Sequence, residues 1–199
     1  GFYSKYIPND SLAPESYLNA QYYGDVRDFP EKLLEDVHSM INLAAISNDP
    51  IGNKFEEATL AINYKAAVDM ARKAKKAGVK NYIYASSCSV YGAASDEPRK
   101  ENHEVNPLTA YAKSKIYTEE DLSAMADASF KITCFRFATA CGMSDRLRLD
   151  LVLNDFVAGA ITSNEITILS DGTPWRPLIN VRDMARAIRW GHERKNSDG

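Results

Sequence analysis

A serine, a tyrosine and a lysine are the residues of this chain whose types and spacing best suit proton transfer. Tyr111 and Lys115 are four positions apart, so on a helix both side chains lie on one face. A phenol ionises near pH ~10 in water and is a poor base at neutral pH, but a neighbouring ammonium favours the phenolate and lowers its pKa. Ser87 could hold a substrate oxygen against that phenol. The three residues predict a proton acceptor beside an alcohol that loses hydride.

The surrounding sequence predicts where these side chains are held. Tyr82 to Ala85 is a β-branched and aromatic run, typical of a buried strand that stops at small hydroxyl residues. A polar loop then closes at Asn106-Pro107, and Thr109 is a suitable N-cap for a helix over 111–126. An isolated Tyr-x-x-x-Lys pair also arises by chance as surface decoration. The order of strand, hydroxyls, loop and helix start favours catalysis.

The rest of the chain alternates strand and helix patterns. We expect further strands at 39–45, 131–137 and 165–169, with Gly24–Asp28 at the end of another. We expect further helices at 30–34, 54–77, 155–160 and from 183. The continuous apolar run at 39–45 predicts a strand buried on both faces, and Gly78 would end the long second helix in the left-handed conformation. This alternation predicts an α/β fold with a parallel sheet and right-handed crossovers.

Composition narrows the class of protein. With 199 residues, 45% of them apolar, the chain can form a globular domain with a real core. A net charge of −3 with interspersed signs provides no basic stripe for nucleic acid, and no apolar run approaches the ~20 residues of a membrane span. The three cysteines, Cys88, Cys134 and Cys141, include no Cys-x-x-Cys pair, which suits a reducing cytoplasm. The three histidines, His38, His103 and His192, lack the spacing of metal ligands, so we expect no zinc site.

Five short motifs follow one another along the chain: Gly24–Asp28, Leu43–Ala45, Ser86–Gly92, Tyr111-x-x-x-Lys115 and Arg136-Phe137. Each motif is weak by itself. Their order and spacing resemble the extended short-chain dehydrogenase/reductase family, in particular its NAD-dependent nucleotide-sugar epimerases and dehydratases. The resemblance covers nearly the whole chain and implies a Rossmann-like, doubly wound parallel sheet.

The resemblance also implies roles for individual positions. It assigns catalysis to Ser87, Tyr111 and Lys115. It implies cofactor contacts for Asp25, Val26, Leu43, Ala44, Ala45, Asn63, Tyr111, Lys115 and Phe137. It implies substrate contacts for Ser47, Ser87, Thr139 and Arg176. The cofactor implied is NAD, with NADP as the alternative, and the substrate implied is a nucleotide sugar.

Several of these positions have plainer interpretations. Gly24–Asp28 and Ser47–Pro50 could each be an ordinary polar turn, and Arg176 could form a structural salt bridge. Arg146 and Arg148 could meet a diphosphate or be solvated charges. Thr139 stands where the family often has an asparagine that contacts substrate, so the sugar is left open.

One hallmark of dinucleotide-binding folds is absent from the sequence. The ten glycines include no Gly-x-Gly pair and hence no dinucleotide fingerprint, and Gly1-Phe2-Tyr3 resembles the residues after the family's second strand. We therefore expect the first βαβ half-unit to be missing and residues 1–141 to form an incomplete dinucleotide-binding domain. Residues 142–199 would be part of a smaller substrate-binding lobe, with helix 183–194 packing back on the main domain.

The implied reaction is epimerisation through transient oxidation. Tyr111, as phenolate, would take the proton of a sugar hydroxyl while hydride leaves for the nicotinamide, and hydride would return to the other face of the ketone. The alternatives are a ketone reductase, a 4,6-dehydratase, or a non-catalytic dinucleotide-binding protein. Cys88-Ser89 stands where a dehydratase would usually carry Asp-Glu, which disfavours the second of these. A cytoplasmic homodimer formed through the two long helices is also implied.

Overall fold

The strands of the chain form two small parallel sheets. The computed structural model describes residues 17–47, 49–93, 97–172 and 175–194. Within these ranges the main sheet has the order β1-β2-β3 and is parallel throughout. Its strands are β1 (Ser39–Asn42), β2 (Asn81–Ser87) and β3 (Lys131–Phe137). A second sheet pairs β4 (Thr139–Cys141) with β5 (Leu178–Asn180), also in parallel.

Helices follow or precede each strand of the main sheet. They are α1 (Asp49–Lys54), α2 (Glu56–Leu60), α3 (Ala67–Lys76), α4 (Ala110–Met125), α5 (Val152–Thr162) and α6 (Val181–Glu193). A π-helical turn, Ala61–Ala66, joins α2 to α3 into the long helix predicted from the sequence. The predicted end of that helix is confirmed, because Gly78 has φ +86° directly after it.

Helices cover both faces of the main sheet. On one face, a buried apolar cluster joins the sheet to α3 and α4 through Leu34, Ala67, Ala71, Ala74, Val79, Tyr82, Tyr84, Leu122 and Phe130. On the other face, α6 packs so closely that a β-carbon on Gly191 would lie 3.2 Å from both Ile83 and Phe135. Because successive side chains of a strand point to opposite faces, α6 lies across the sheet from α3 and α4. The predicted α/β fold with a parallel sheet is confirmed.

The prediction for the first strand is wrong in two respects. The strand ends at Asn42 rather than Ala45, because the Asn42 side chain accepts a hydrogen bond from Ala44 N (3.1 Å) and turns the backbone out of the ladder. It is also not buried on both faces, since Ile41 is 45% exposed and Leu43 is 59% exposed. β1 is the edge strand of the described sheet and pairs with β2 alone.

Two other predicted strand positions are corrected. Residues 165–169 form no strand: Ile166, Ile168 and Leu169 are exposed, and none of the described strands lies beside the segment to supply ladder hydrogen bonds. The Gly24–Asp28 motif does not follow a strand within residues 17–25. Instead, Asp25 caps a 3₁₀ turn at Val26–Asp28. At 165–169, alternating apolar residues thus predicted a strand for which the described residues provide no partner.

The loop predicted at 47–50 is shorter than expected, because Asp49 and Pro50 begin α1. Proline at the start of a helix loses no hydrogen bond, since the first N–H groups have no partner inside the helix. Asn48, and residues 1–16 including Gly1-Phe2-Tyr3, lie outside the described residues. The division of the chain at residue 141 stays a prediction.

Candidate active site

The carboxyl end of β2 places Ser87 at the edge of the sheet. Ser87 is the last residue of that strand and is paired in register with Phe137 of β3. Its side-chain oxygen accepts a hydrogen bond from Ser89 N (3.2 Å) and so caps the 3₁₀ turn Cys88–Tyr91. The Ser89 hydroxyl lies 2.9 Å from the same oxygen. The Ser87 hydroxyl is therefore held at the edge where the parallel strands end.

The loop after this turn returns the chain to the same edge. Gly92 has φ +75°, and a β-carbon there would overlap the carbonyl oxygen of Asn106. Asn106 N donates to Val90 O (2.9 Å), which holds the two ends of the loop together. Thr109 then caps α4 by accepting from Ala112 N (3.1 Å), as predicted. The first turn of α4, which carries Tyr111, consequently begins close to the end of β2.

Lys115 is buried beside Tyr111. It is 2% exposed, and its ammonium donates to Ala85 O of β2 (2.7 Å). The same nitrogen lies 5.4 Å from the Tyr111 ring centroid and 4.6 Å from that of Tyr84. Burial lowers the pKa of Lys115 to about 8, so at neutral pH the group is still mainly an ammonium. An ammonium has three donors, and the Ala85 carbonyl uses one of them.

A charged network that the sequence did not reveal lies behind the site. Glu119 of α4 forms a bidentate ion pair with Arg136 of β3, with Nη2 and Oε2 2.6 Å apart. The Ser86 hydroxyl donates to Glu119, and Arg136 Nη1 donates to Tyr91 Oη (2.9 Å) and Glu101 O (3.1 Å). The hydrogen bonds that Arg136 donates to Glu119 raise the pKa of Arg136. The network joins β2, β3, α4 and the 88–108 loop.

Asn63 fixes the loop after β1. This side chain is fully buried in the π-helical turn, and its amide makes two hydrogen bonds to one backbone unit. Asn63 Nδ2 donates to Ile46 O (3.0 Å), and Ile46 N donates to Asn63 Oδ1 (2.8 Å). Asn63 therefore positions the Leu43–Ala45 backbone from behind. The stretch that it holds has small side chains at Ala44 and Ala45 beside the edge of the sheet.

Asp25 and Val26 lie in a turn that contacts the same π-helical segment. Asp25 is bound by its neighbour: Arg27 N donates to Oδ1 (2.9 Å) and Arg27 Nε donates to both carboxylate oxygens. These hydrogen bonds lower the pKa of Asp25 to about 2. The acidic side chain at this position is thus engaged within its own turn.

Arg148 joins the loop after β1 to the segment before α5. Its Nη1 donates to Ser47 Oγ (3.0 Å), and its other nitrogens form a bidentate pair with Asp150, with Nη2 and Oδ2 2.6 Å apart. The pKa of Arg148 is raised, first by that pair and also by the nearby Tyr111 phenol. Arg148 is paired with Asp150 but remains 41% exposed, so its two interpretations from sequence, a diphosphate contact or a solvated charge, both stay predictions. The Arg-x-Asp spacing was the available signal for its pairing.

The remaining predicted substrate and cofactor residues lie around the ends of β3 and β4. Phe137 is mostly buried and stacks on Phe135, with ring centroids 5.3 Å apart. Thr139 begins β4, and its N–H donates to Pro177 O (3.0 Å). Arg176 is exposed, and its charge opposes the rise in the pKa of the Cys88 thiol that burial causes. The ion pairs found among the described residues do not include Arg176.

The described residues contain neither a candidate metal site nor a candidate membrane-spanning helix. Within them, no three His, Cys, Asp or Glu side chains are grouped so that they could hold a metal ion. None of the helices in the same ranges combines the length and apolarity that a bilayer crossing requires.

Comparison with known proteins identifies the family. The family model described as the NAD dependent epimerase/dehydratase family matches residues 9–199. The chain belongs to this family. UDP-glucose 4-epimerase of Haemophilus influenzae is 29% identical to this member over 187 residues, which cover 89% of the chain and 51% of the relative. UDP-glucose 4-epimerase of Lactobacillus helveticus is 26% identical over an alignment that covers 83% of the chain and 54% of the relative.

Solved structures of similar proteins agree with the family's fold. MoeE5 in complex with UDP-glucuronic acid and NAD superposes on this member with a TM-score of 0.77 and 26% identity, covering 88% of the chain and 59% of MoeE5. TunA, an NAD-dependent NDP-hexosamine 5,6-dehydratase, gives a TM-score of 0.77 with 25% identity. The Rossmann-like prediction is confirmed. The chain spans about half the length of the curated relatives it matches.

Proposed function

We propose that this chain carries the proton-transfer site of an NAD-dependent nucleotide-sugar epimerase. The observation that supports it most is the buried ammonium of Lys115. It lies one helical turn from Tyr111 and is bound to Ala85 O, two residues before Ser87 at the edge of the sheet. Burying a lysine has a free-energy cost, so a buried lysine beside a tyrosine at the carboxyl ends of parallel strands calls for a functional explanation.

The chemistry follows from the positions of the three side chains. The Lys115 ammonium favours the phenolate form of Tyr111, because water screens the attraction weakly at a buried site. Tyr111 then accepts the proton of a sugar hydroxyl, and the Ser87 hydroxyl donates a hydrogen bond to the same oxygen. NAD, when bound, supplies the hydride acceptor. Tyr111 returns the proton after the ketone has turned over and been reduced on its other face.

The residues present fit the nicotinamide-ribose half of NAD. Lys115 has two donors beyond the one used by Ala85 O, which suits the paired hydroxyls of a ribose. Ala44 and Ala45 leave room beside the sheet for the close approach of a ligand, with their backbone held by Asn63. Phe137 provides an aromatic surface at the same edge. The sequence contains no glycine-rich turn for the pyrophosphate.

A nucleotide sugar is the substrate class that the surroundings support. Arg176, an exposed guanidinium outside the ion pairs of the described residues, provides a forked cationic donor that suits a diphosphate. The fork of Arg148 is already held by Asp150. The similar proteins named above are UDP-glucose 4-epimerases, and the MoeE5 structure holds UDP-glucuronic acid. Ser47, in the loop after β1, and Thr139, at the start of β4, would border the sugar.

The proposal is tested on the full-length gene product with NAD and a panel of UDP-hexoses. Proton NMR of the products should show interconversion of sugar epimers without net change in cofactor absorbance. Tyr111→Phe should lower turnover at least 100-fold, the usual contribution of a general base, whereas Tyr117→Phe on the same helix should not.

The other family chemistries would give different readouts in this assay. Net oxidation of NADPH with carbonyl substrates would indicate a reductase, and a 4-keto product that has lost water would indicate a dehydratase. Tight NAD binding with no turnover of any substrate would indicate a non-catalytic protein. Full activity in Tyr111→Phe would eliminate the proposed base.

We propose likewise that the protein is a cytoplasmic homodimer formed through the long helices. Tyr64 and Tyr117 make an edge-to-face pair, with ring centroids 5.7 Å apart, where the long α2–α3 helix meets α4, and Tyr117 is 41% exposed. A pair of aromatic rings on two packed helices, one of them exposed, suits an interface between copies. The three described cysteines are free thiols, which suits a reducing compartment.

A further inference from the structure

A basic depression lies at the opposite end of the main sheet from Ser87. It has a volume of about 510 Å³ and lies where β2 and β3 begin and α6 ends. It is lined by His38, Lys80, Asn81, Ala128, Ser129, Lys131, His192, Glu193 and Arg194. β2 runs seven residues from Asn81 to Ser87, about 20 Å at the usual rise of a strand, so this basin is separate from the proposed active site.

The charges of the basin are predominantly positive, although the whole chain is acidic. Lys80, Lys131 and Arg194 line it, and none of them forms an ion pair with a described residue. The lining carboxylate, Glu193, is bound to Arg189 (2.7 Å). Asp127, next to the rim, is bound to Lys75 (2.6 Å). The acidic groups at the basin are therefore neutralised locally while its lysines are not.

Two buried polar atoms of the lining residues have no hydrogen-bond partner among the described residues. Arg194 Nε is a donor without an acceptor, and Asn81 Oδ1 is an acceptor without a donor. The Arg194 guanidinium is held over the Trp190 ring, 5.6 Å from its centroid, and the Asn81 amide is held by His192 O (3.0 Å). Because buried polar atoms are nearly always satisfied, each of these two atoms indicates a polar partner, either a water or a ligand group, at the lining of the basin.

We propose that this basin binds phosphate, as the free ion or as the phosphate group of a small ester. Phosphate oxygens accept from Lys80, Lys131 and Arg194 Nε, and the hydroxyl of hydrogen phosphate donates to Asn81 Oδ1. Sulfate has the same shape but carries no proton at neutral pH, so it satisfies the cations and leaves Asn81 Oδ1 without a donor. The site lies outside the proposed epimerase chemistry and does not depend on it.

The test is isothermal titration of the protein in phosphate- and sulfate-free buffer with inorganic phosphate, sulfate and glycerol 3-phosphate. We expect one saturable phosphate site per chain, with weaker binding of sulfate. Tighter binding of glycerol 3-phosphate than of phosphate would identify an ester as the ligand, and the reverse would identify the free ion. Lys80→Gln should weaken phosphate about three- to tenfold, as expected for one exposed charge, and the double variant with Lys131→Gln should weaken it further.

Matched controls separate this site from others. Lys80 is exposed and makes no contact that the fold requires, so Lys80→Gln keeps the test valid even if Lys131→Gln loosens α6, whose end Lys131 holds through Arg194 O (3.2 Å). Arg99→Gln removes an exposed charge in the 97–108 segment and should leave binding unchanged. Absence of saturable binding at millimolar phosphate, equal losses in Lys80→Gln and Arg99→Gln, or loss in Arg176→Gln alone would overturn the proposal.

Discussion

At the scale of single residues, the free-energy cost of Lys115 is the clearest mark of function. Its pKa is lowered to about 8 by burial, against about 10.4 for an exposed lysine. The ammonium is therefore harder to hold in the folded chain than in the unfolded one. That cost is fully present below pH 8, where both states are charged, and it is relieved as pH rises toward 10.4. A residue chosen for stability alone would be apolar here.

Replacing this lysine should consequently stabilise the fold. Lys115→Met should raise the free energy of unfolding at pH 7 by about 1–3 kcal/mol, from a shift of about two pKa units less the lost hydrogen bond to Ala85 O. The gain should shrink between pH 8 and pH 10.4. Urea unfolding at several pH values measures it, with the half-buried neighbour Lys113→Met as control. A loss of stability at pH 7, or a gain independent of pH, would show that burial does not strain Lys115.

At the scale of elements, the π-helical turn and the loop after β1 act as a unit. The extra residue of a π-turn often marks a functional position, and here it carries Asn63. Since the Asn63 amide satisfies both backbone groups of Ile46, the loop has a fixed conformation without belonging to any strand. The family resemblance indicated an asparagine that helps hold this region. Its burial and its bidentate geometry came only from the structure.

Removing the amide should release the loop. Asn63→Ala should lower the free energy of unfolding by about 2–3 kcal/mol, because two buried backbone groups lose their partners. Hydrogen exchange at Ala44 to Ile46 should become faster by the corresponding factor. Asn180→Ala, which removes the cap of α6, serves as control because it should destabilise that helix without changing exchange in this loop. Unchanged exchange in Asn63→Ala would show that the loop is held by other contacts.

The helix surface at Tyr117 can be tested in the same manner. If copies associate through α4, Tyr117→Glu should place a charge in the interface and shift the protein toward monomer, because unpaired buried charges are strongly unfavourable. Sedimentation velocity across a range of concentrations measures the shift. Tyr22→Glu, at an exposed tyrosine away from these helices, should have no effect. A wild-type protein that is monomeric at every concentration would contradict the proposed dimer.

At the scale of the whole molecule, the sequence predicted what local patterns determine. The strands at β2 and β3, the cap at Thr109 and the C-terminal Gly78 depend on neighbouring residues and were found where expected. The strand predicted at 165–169 was wrong, because a strand needs a partner that local sequence does not show. The early end of β1 was also missed, because it depends on one hydrogen bond, from Ala44 N to the Asn42 side chain.

Long-range polar contacts were the features that sequence could not supply. Glu119 and Arg136 are 17 residues apart, and Ser47 and Arg148 are 101 residues apart. Each pair joins elements that become neighbours only in the folded sheet, so no rule of sequence spacing predicts the contact. The proposed catalytic pair was accessible from sequence because Tyr111 and Lys115 share one helix face. Their relation to Ala85 O required the fold.

The acidity of the Tyr111 phenol tests the central claim most directly. Carbon-13 NMR of ring-labelled tyrosine follows each phenol with pH, and comparison with Tyr111→Phe assigns the signal. Burial raises the pKa of both Tyr82 and Tyr84, so these phenols should not titrate in the same range. We predict that Tyr111 titrates clearly below the ~10 of a free tyrosine and returns to ~10 or above in Lys115→Met. Titration of Tyr111 at 10 or higher with Lys115 in place would contradict the account.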